Sequence, residues 1–423
     1  MLPVELAAVF NHQTIGMKKA VVTWITFLLP FVLSAQNQDA PKLKFSGMVK
    51  TDFMFDSRQT VSAREGHFLL FPSPFLAGAD GEDINAVSNF NILAIQTKGR
   101  VDIAGGEFFG MKASGAIEGE FFGHSNADVN GFRLRHAYVK LSNEKLDILM
   151  GQYWHPMFVT ACYPGVYSVD TGSPFTPFNR SPQLRIETKG KTKIIAAAST
   201  QRDFASSGPA GNSSVYLRNA ALPNLHVQLQ HKTGNLLAGI GLDFKSLVPR
   251  TADLLGTATR TRVNSTTLIA YTKYTHGSFQ WKAFGTLGQN LTDHLMLGGY
   301  AETGVDSLTG KYSYEPVKVA AGWTEFYLKG QKMEGGVFLG YTRNLGLTKP
   351  LAGKVYGLGT NIRELYRIAP RIGWIYGNST IGLELEYTHA QYGKMDAKMT
   401  DVETGENGKV GNLRLLASVL MRF

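Results

Sequence analysis

Cysteine is nearly absent: Cys162 stands alone, so no disulfide can form within the chain and no thiolate cluster can hold a metal. Long apolar runs are missing as well, since beyond residue 36 no stretch reaches the ~18 consecutive apolar residues of a transmembrane helix. Extended helical patterns are not found. Charged residues make up only 18% of the chain, with no charge block, interdomain linker or Ser/Pro-rich tract. The 423 residues therefore read as one large unit, although the length would allow two or three domains. No GxxxxGK(S/T), HExxH or GxSxG occurs, the ten histidines lack metal-ligand spacing, and Gly239-Ile240-Gly241 lacks the third glycine of a dinucleotide site. No enzyme activity, metal or other cofactor is expected.

What is present begins with an export signal. Met17-Lys18-Lys19 precedes the apolar run Ala20–Leu33 and then Ser34-Ala35-Gln36, giving a basic region, an apolar region and a small residue at the cut. Residues 1–35 thus read as a signal peptide, with 1–16 an upstream start that the cell does not use. The alternative, an uncleaved anchor, asks for about 20 apolar residues, more than this run holds. Without Glu5, Lys18 and Lys19 the formal charge of +10 becomes +9. Nucleic acid would be the reflex partner of such a balance, but export puts it in the wrong compartment.

Residues 36–423 form a succession of alternating segments. In Leu43–Asp56, Leu43, Phe45, Val49, Phe53 and Phe55 share one face, and Lys44, Lys50, Asp52 and Asp56 the other. In 91–103, Leu93, Ile95, Val101 and Ile103 oppose Gln96, Lys98, Arg100 and Asp102; in 111–121, Met111, Ala113, Ile117 and Phe121 oppose Lys112, Glu118 and Glu120. Segment 413–423 repeats the scheme less cleanly, with Leu416 and Leu420 on the polar face.

Short turn signals recur at Gly105-Gly106, Asn143–Lys145, Lys189–Lys191, Thr233–Asn235, His276–Ser278, Lys329–Gln331 and Gly377–Ser379. Between them lie eight longer connections, near 57–87, 124–130, 154–180, 205–222, 246–261, 291–316, 346–366 and 391–410. Fifteen connections imply sixteen strands. An even count with both termini at the short-turn end predicts an all-β fold: a transmembrane antiparallel β-barrel with short periplasmic turns and long extracellular loops. A sheet crosses a bilayer only by closing on itself, which puts lipid outside and water or protein inside. A soluble β-sandwich, apolar inside, yields a similar alternation and explains the strand tally less well. The final Phe423, with apolar residues at every second position before it, resembles the carboxy-terminal signature of outer-membrane barrels.

Three features bear on function. The connection Trp154–Arg180 is rich in Pro, Gly and aromatics, too apolar to sit in water, and is expected to fold into the lumen and constrict it; an ordinary packed loop or a subunit contact is the alternative. Arg133 and Arg135 share a face, as do Gln183, Arg185, Glu187 and Lys189; with Arg100 and Arg180 they would line a water-filled passage and favour anions, unless they pair with Glu118, Glu120, Asp52 or Glu187 and stiffen the wall. Tyr138, Trp154, Trp281, Trp323, Tyr327, Trp374 and Tyr387 suit interfacial girdles contacting outer-membrane lipid.

The segments FSGMVKTDFMFDS (Phe45–Ser57), MGQYWHPMF (Met150–Phe158) and NRSPQLRI (Asn179–Ile186), in that order, resemble the DcaP-like family of trimeric outer-membrane porins. The resemblance implies a homotrimer of sixteen-stranded barrels in a Gram-negative outer membrane, passing small anionic solutes such as dicarboxylates by passive diffusion. It carries over Lys50, Asp52, Gln152, Gln183 and Arg185 as pore positions. No heptad-patterned segment precedes the first strand here, so coiled-coil support for a trimer is not implied. A substrate-specific uptake channel, or a structural or adhesive barrel with a plugged lumen, would share the same wall.

Overall fold

The computed structural model describes residues 41–403, 405 and 407–423; the signal peptide expected at 1–35 and its junction lie outside them. In chain order the wall strands are β1 (Lys42–Asp56), β2 in two pieces (Asn89–Leu93 and Lys98–Phe108), β3 (Met111–Glu120), β4 (Arg133–Ser142), β5 (Leu146–Trp154) and β6 (Arg180–Thr188). There follow β7 (Thr192–Ser199), β8 (Asn224–Thr233), β9 (Leu236–Leu247), β10 (Val263–His276) and β11 (Phe279–Gln289). The last five are β12 (Lys318–Lys329), β13 (Met333–Gly346), β14 (Ile362–Tyr376), β15 (Ser379–Tyr392) and β16 (Lys409–Arg422).

Each strand pairs antiparallel with its neighbours in sequence, and the sheet closes through β1. That strand pairs with β16 from Met48↔Arg422 to Asp56↔Arg414 and with β2 from Asp52↔Leu93 to Asp56↔Asn89. Seventeen strands join the sheet, and with β2 counted once the barrel has sixteen. The sandwich alternative is gone, because a closed sheet has one inner and one outer face.

The faces sort as the alternation requires. Leu43, Phe45, Val49 and Phe53 point outward at 56, 68, 44 and 39% exposure, while Lys50, Asp52 and Asp56 are buried inside. Outward leucines, valines and phenylalanines continue around the wall, at Phe90, Val227, Ile240, Leu287, Leu339 and Leu415 among others. Such a surface is stable against acyl chains and not against water, so the barrel spans a membrane. Leu416 and Leu420, on the polar face of the last strand, are buried inside.

Four expectations need correction. The hairpin between β2 and β3 turns at Phe109-Gly110, where φ is +53° and +69°, and not at Gly105-Gly106. Those two glycines form a bulge, marked by a register shift between Ala104 and Glu107. Second, Ile95 does not face lipid: the chain leaves the wall between the two pieces of β2, and the Ile95 side chain is buried in the interior cluster that Leu93 also joins. Third, Trp154, Trp323 and Tyr327 are not girdle residues. Trp154 and Trp323 pack in the interior cluster, and Tyr327 borders the same interior space as Trp154. Fourth, Tyr138 also faces inward, toward a smaller space beside β4–β8. Trp281, Trp374 and Tyr387 alternate with inward-facing Lys282, Arg371 and Glu386 and so stay on the outer face.

The expected long connections lie within a few residues of the observed ones. The first, after β1, contains a hairpin of Thr60–Ala63 and Phe68–Pro72. The sixth and seventh pair Gly298–Val305 with Tyr312–Pro316 and Val355–Leu358 as a separate three-stranded sheet.

Candidate functional site

The connection between β5 and β6 folds into the barrel. Most of its apolar residues leave water, with Met157 and Phe175 fully buried although Tyr163 stays exposed, and its start is stacked on the wall through Trp154 and Phe158, ring centroids 4.0 Å apart. From there it crosses to the far side. Cys162 Sγ reaches Thr272 O on β10 (3.2 Å), Gly165 N donates to Glu325 on β12 (3.0 Å), and Tyr167 N donates to Glu384 on β15 (2.7 Å). Two aromatic side chains plug into the wall where glycine leaves room. A Cβ on Gly382 would come within 2.6 Å of the Tyr167 ring, and one on Gly340 within 2.6 Å of the Phe175 ring. The inner wall offers them an aromatic row: Tyr271, Phe284, Trp323 and Phe338 on β10–β13 are neighbours at 6.2, 6.1 and 5.9 Å, and Phe175 sits 6.1 Å from the last.

The Phe68–Pro72 strand of the first connection lies inside as well, against β15 and β16. Phe68, Leu69, Leu70 and Phe71 are buried, and polar groups of the wall hold its backbone: Tyr392 OH to Pro72 O (2.7 Å), Arg414 Nη2 to Gly66 O (2.6 Å) and Arg367 Nη2 to Leu70 O (2.9 Å). Arg367 also donates to Asp170 Oδ2 (2.7 Å) and Ser173 O (2.9 Å), so one guanidinium ties both inner segments to β14. With Leu291, Met296 and Leu297 the two segments build an apolar core toward the long-loop end of the lumen.

Beside this core a cavity of about 1120 Å³ remains, bounded by the wall and by Thr160–Val169 of the folded-in connection. Ten lysines and arginines line it, against three glutamates. Lys50, Arg100, Arg133, Arg135 and Arg180 are among them, and sequence reasoning missed Lys98, Lys282, Lys329, Arg371 and Arg422. Their strands could be read, but not which wall they would face across the folded-in connection. Arg185 lines a separate space of about 270 Å³ with Lys140 and Lys193. Asp52 is sealed beneath the lining, its carboxylate held by Lys50 (3.0 Å) and His67 (2.6 Å). Gln152 and Gln183 donate to wall carbonyls, Gln152 to Leu134 and Arg135, Gln183 to Tyr153 and Trp154.

The charges form two groups on facing walls. On β3–β6, Glu120 meets Arg133 (2.6 Å), Arg180 (3.3 Å) and Arg135; Asp203 takes a second bond from Arg133 (3.0 Å) and from Arg180 (2.7 Å), and Glu118 one from Arg135 (2.6 Å). On β11–β14, Lys282 (2.7 Å) and Arg371 share the single carboxylate of Glu325. The arginines thus pair across strands, and the cations lining the cavity outnumber its carboxylates. One N–H group on each wall, Arg180 Nη2 and Arg371 Nη1, has no hydrogen-bond partner among the described residues. Buried donors without acceptors are costly, and an anion in the cavity would supply one.

Cys162 makes the inner connection measurable. Its thiol is buried, and desolvation pushes its pKa up to about 12. A thiol reagent should leave the folded barrel unlabelled and label it at once in denaturant; rapid labelling of the folded protein would contradict the docked position.

No protein-family model matches the chain, and no curated protein matches it. Solved structures do. The outer membrane channel DcaP of Acinetobacter baumannii is 13% identical, with 91% of this chain and 98% of that one covered and a TM-score of 0.66. The outer membrane protein OmpT of Vibrio cholerae in its trimer form is 10% identical over 91% and 100%, TM-score 0.53. An anion-selective porin from Comamonas acidovorans is 12% identical over 91% and 100%, TM-score 0.51. At these identities the likeness is one of fold: the chain has the architecture of outer-membrane channels, DcaP included.

Proposed function

We propose that this barrel is a porin in the outer membrane of a Gram-negative bacterium, a homotrimer through which small anionic solutes diffuse passively. The observation that carries the reading is the cavity, where ten cationic side chains face three glutamates inside a low-dielectric wall. Transport of this kind needs neither cofactor nor covalent chemistry. The wall replaces hydrocarbon with water, and the excess positive charge raises the local concentration of anions. The trimer form of the Vibrio cholerae barrel is the assembly we expect here.

Purified protein in a planar bilayer should conduct, close in three steps, and give a reversal potential of anion sign under a salt gradient. Cation preference would overturn the charge argument and leave the barrel standing. Deleting residues 160–166 should raise single-channel conductance, because Thr160 and Tyr163–Val166 border the cavity, while Tyr167, Asp170 and Phe175 keep the rest of the segment anchored once the contacts of Cys162 and Gly165 are lost. Unchanged conductance would remove the constriction role.

One observation favours a second reading. The apolar core of Phe68, Phe71, Met157, Phe178 and Leu297 fills part of the lumen, as a plugged structural barrel would require. Absence of conductance in the wild type would decide for it, and current blocked saturably by one solute would instead mark a substrate-specific channel.

A further inference from the structure

The two ends of the folded-in connection meet at three histidines. His155 opens the segment and donates its backbone N–H to Asn179 O (3.0 Å) at the other end. Phe178 N then bonds His294 O (3.0 Å), and Asn179 Nδ2 bonds Asp293 O (2.6 Å). The His155 ring lies 4.7 Å from that of His294 and 5.9 Å from that of His226 on β8, and all three are buried.

The groups facing them come from three sides. From β9, Asp243 lies 3.6 Å from His155 Nε2 and 3.2 Å from His226 Nδ1, and Lys245 holds Asp293 and the Asn290 carbonyl. From the turn, Asp293 Oδ2 lies 3.8 Å from His294 Nε2 and accepts from Gln201 (2.8 Å). From β8, Gln228 bonds His226 Nε2 (3.1 Å). His155 Nε2 and His294 Nδ1 have no hydrogen-bond partner among the described residues. With neutral imidazoles the cluster holds two aspartates against one lysine; with His155 and His294 protonated it holds three cations against the same two carboxylates, among side chains buried away from water.

We propose that this cluster is an acid-operated clamp: at neutral pH it fastens both ends of residues 155–179 to the wall, and protonation of His155 and His294 releases them. Burial is the main reason that both imidazoles are held below the ordinary histidine range. A released segment takes up protons at the ordinary pKa of about 6.5, whereas the docked one resists them to lower pH. Docking is therefore fully stable above that value and weakens as pH falls below it. Protonation of His155 also costs the docked segment a bond, because its Nδ1 accepts the Met157 N–H (3.3 Å).

The test reads the segment and not the current. Cys162, seven residues past His155, is labelled with a dithiodipyridine reagent, and its rate is divided by that of the same protein unfolded at the same pH. Between about pH 7.5 and about pH 5 the ratio should rise at least about tenfold, the equivalent of a modest shift in a local opening equilibrium. His155→Gln with His294→Gln should flatten that response, and either single substitution serves as a second variant if the pair does not assemble. A flat ratio in the wild type, or a variant that keeps the full rise, overturns the clamp. A barrel that conducts no ions still reports through its thiol, so this result is independent of the proposed selectivity.

Discussion

Replacing Arg367 with methionine should lower the barrel's resistance to unfolding by about 3–5 kcal/mol, the usual cost of removing one partner from a buried ion pair. The side chain is 1% exposed and has no aqueous substitute for its partners. It donates to Thr388 Oγ1 (2.8 Å), to Asp170 and Ser173 of one inner segment and to Leu70 of the other, and lies 3.3 Å from Glu386. Its removal leaves Asp170 and Glu386 buried with no cation within salt-bridge distance, and it unties both inner segments from β14. The loss should therefore show twice: as a lower denaturant midpoint in a gel assay that separates folded from unfolded barrel, and as faster labelling of Cys162. A change under about 1 kcal/mol, within the range of surface pairs, with Cys162 still shielded, would show that the anchoring lies elsewhere.

Glu120→Gln should cost a similar amount, about 3–5 kcal/mol, for the opposite reason. Here the surplus is positive. Arg133, Arg135 and Arg180 converge on one carboxylate that is 1% exposed, and only Asp203 and Glu118 would remain to oppose them. The penalty arises from uncompensated charge more than from lost hydrogen bonds, which makes a second prediction about the same site. Adding Arg133→Met should restore part of the loss, with a coupling of about 1–3 kcal/mol in a double-mutant cycle. Additive losses would mean that the guanidinium group is solvated after all, through the cavity it borders.

These two residues mark where sequence reasoning stopped. Arg133, Arg135 and Arg180 could be picked out because their strands alternate, and Glu118 and Glu120 were visible as their candidate partners across β3 and β4. For Arg367 the neighbouring strand offered only Thr388 and Glu386, while its partners Asp170, Ser173 and Leu70 are nearly two hundred or more residues away and come from connections, not strands. The same holds for the run Phe68–Phe71. The connection that holds it was expected to be extracellular, and the structure places these four residues inside the barrel. The three segments that resemble DcaP-like porins divide in the same way. Lys50 lines the cavity, while Asp52, Gln152 and Gln183 bond to neighbouring groups of the wall and its inner packing.

Local errors had local causes. Gly105-Gly106 satisfies the composition of a turn and of a bulge alike, and only pairing with β3 selects the bulge. Leu93 and Ile95 keep the period of a continuous strand although the chain leaves the sheet between them, because periodicity counts residues and does not register an interruption.

Sequence alone was enough to specify a closed, inside-out sheet: a two-residue period sets which side chains oppose one another on each strand, and a long apolar face on strands of this length, read with the expected export signal, leaves only a barrel to bury the backbone polar groups. The path of two connections through the interior was decided by tertiary structure, and with it which cations meet carboxylates and which stay in excess. Those contacts depend on apolar loop surface seeking a dry inner wall and on sockets where glycine leaves space for a ring, and neither is a property of any one segment.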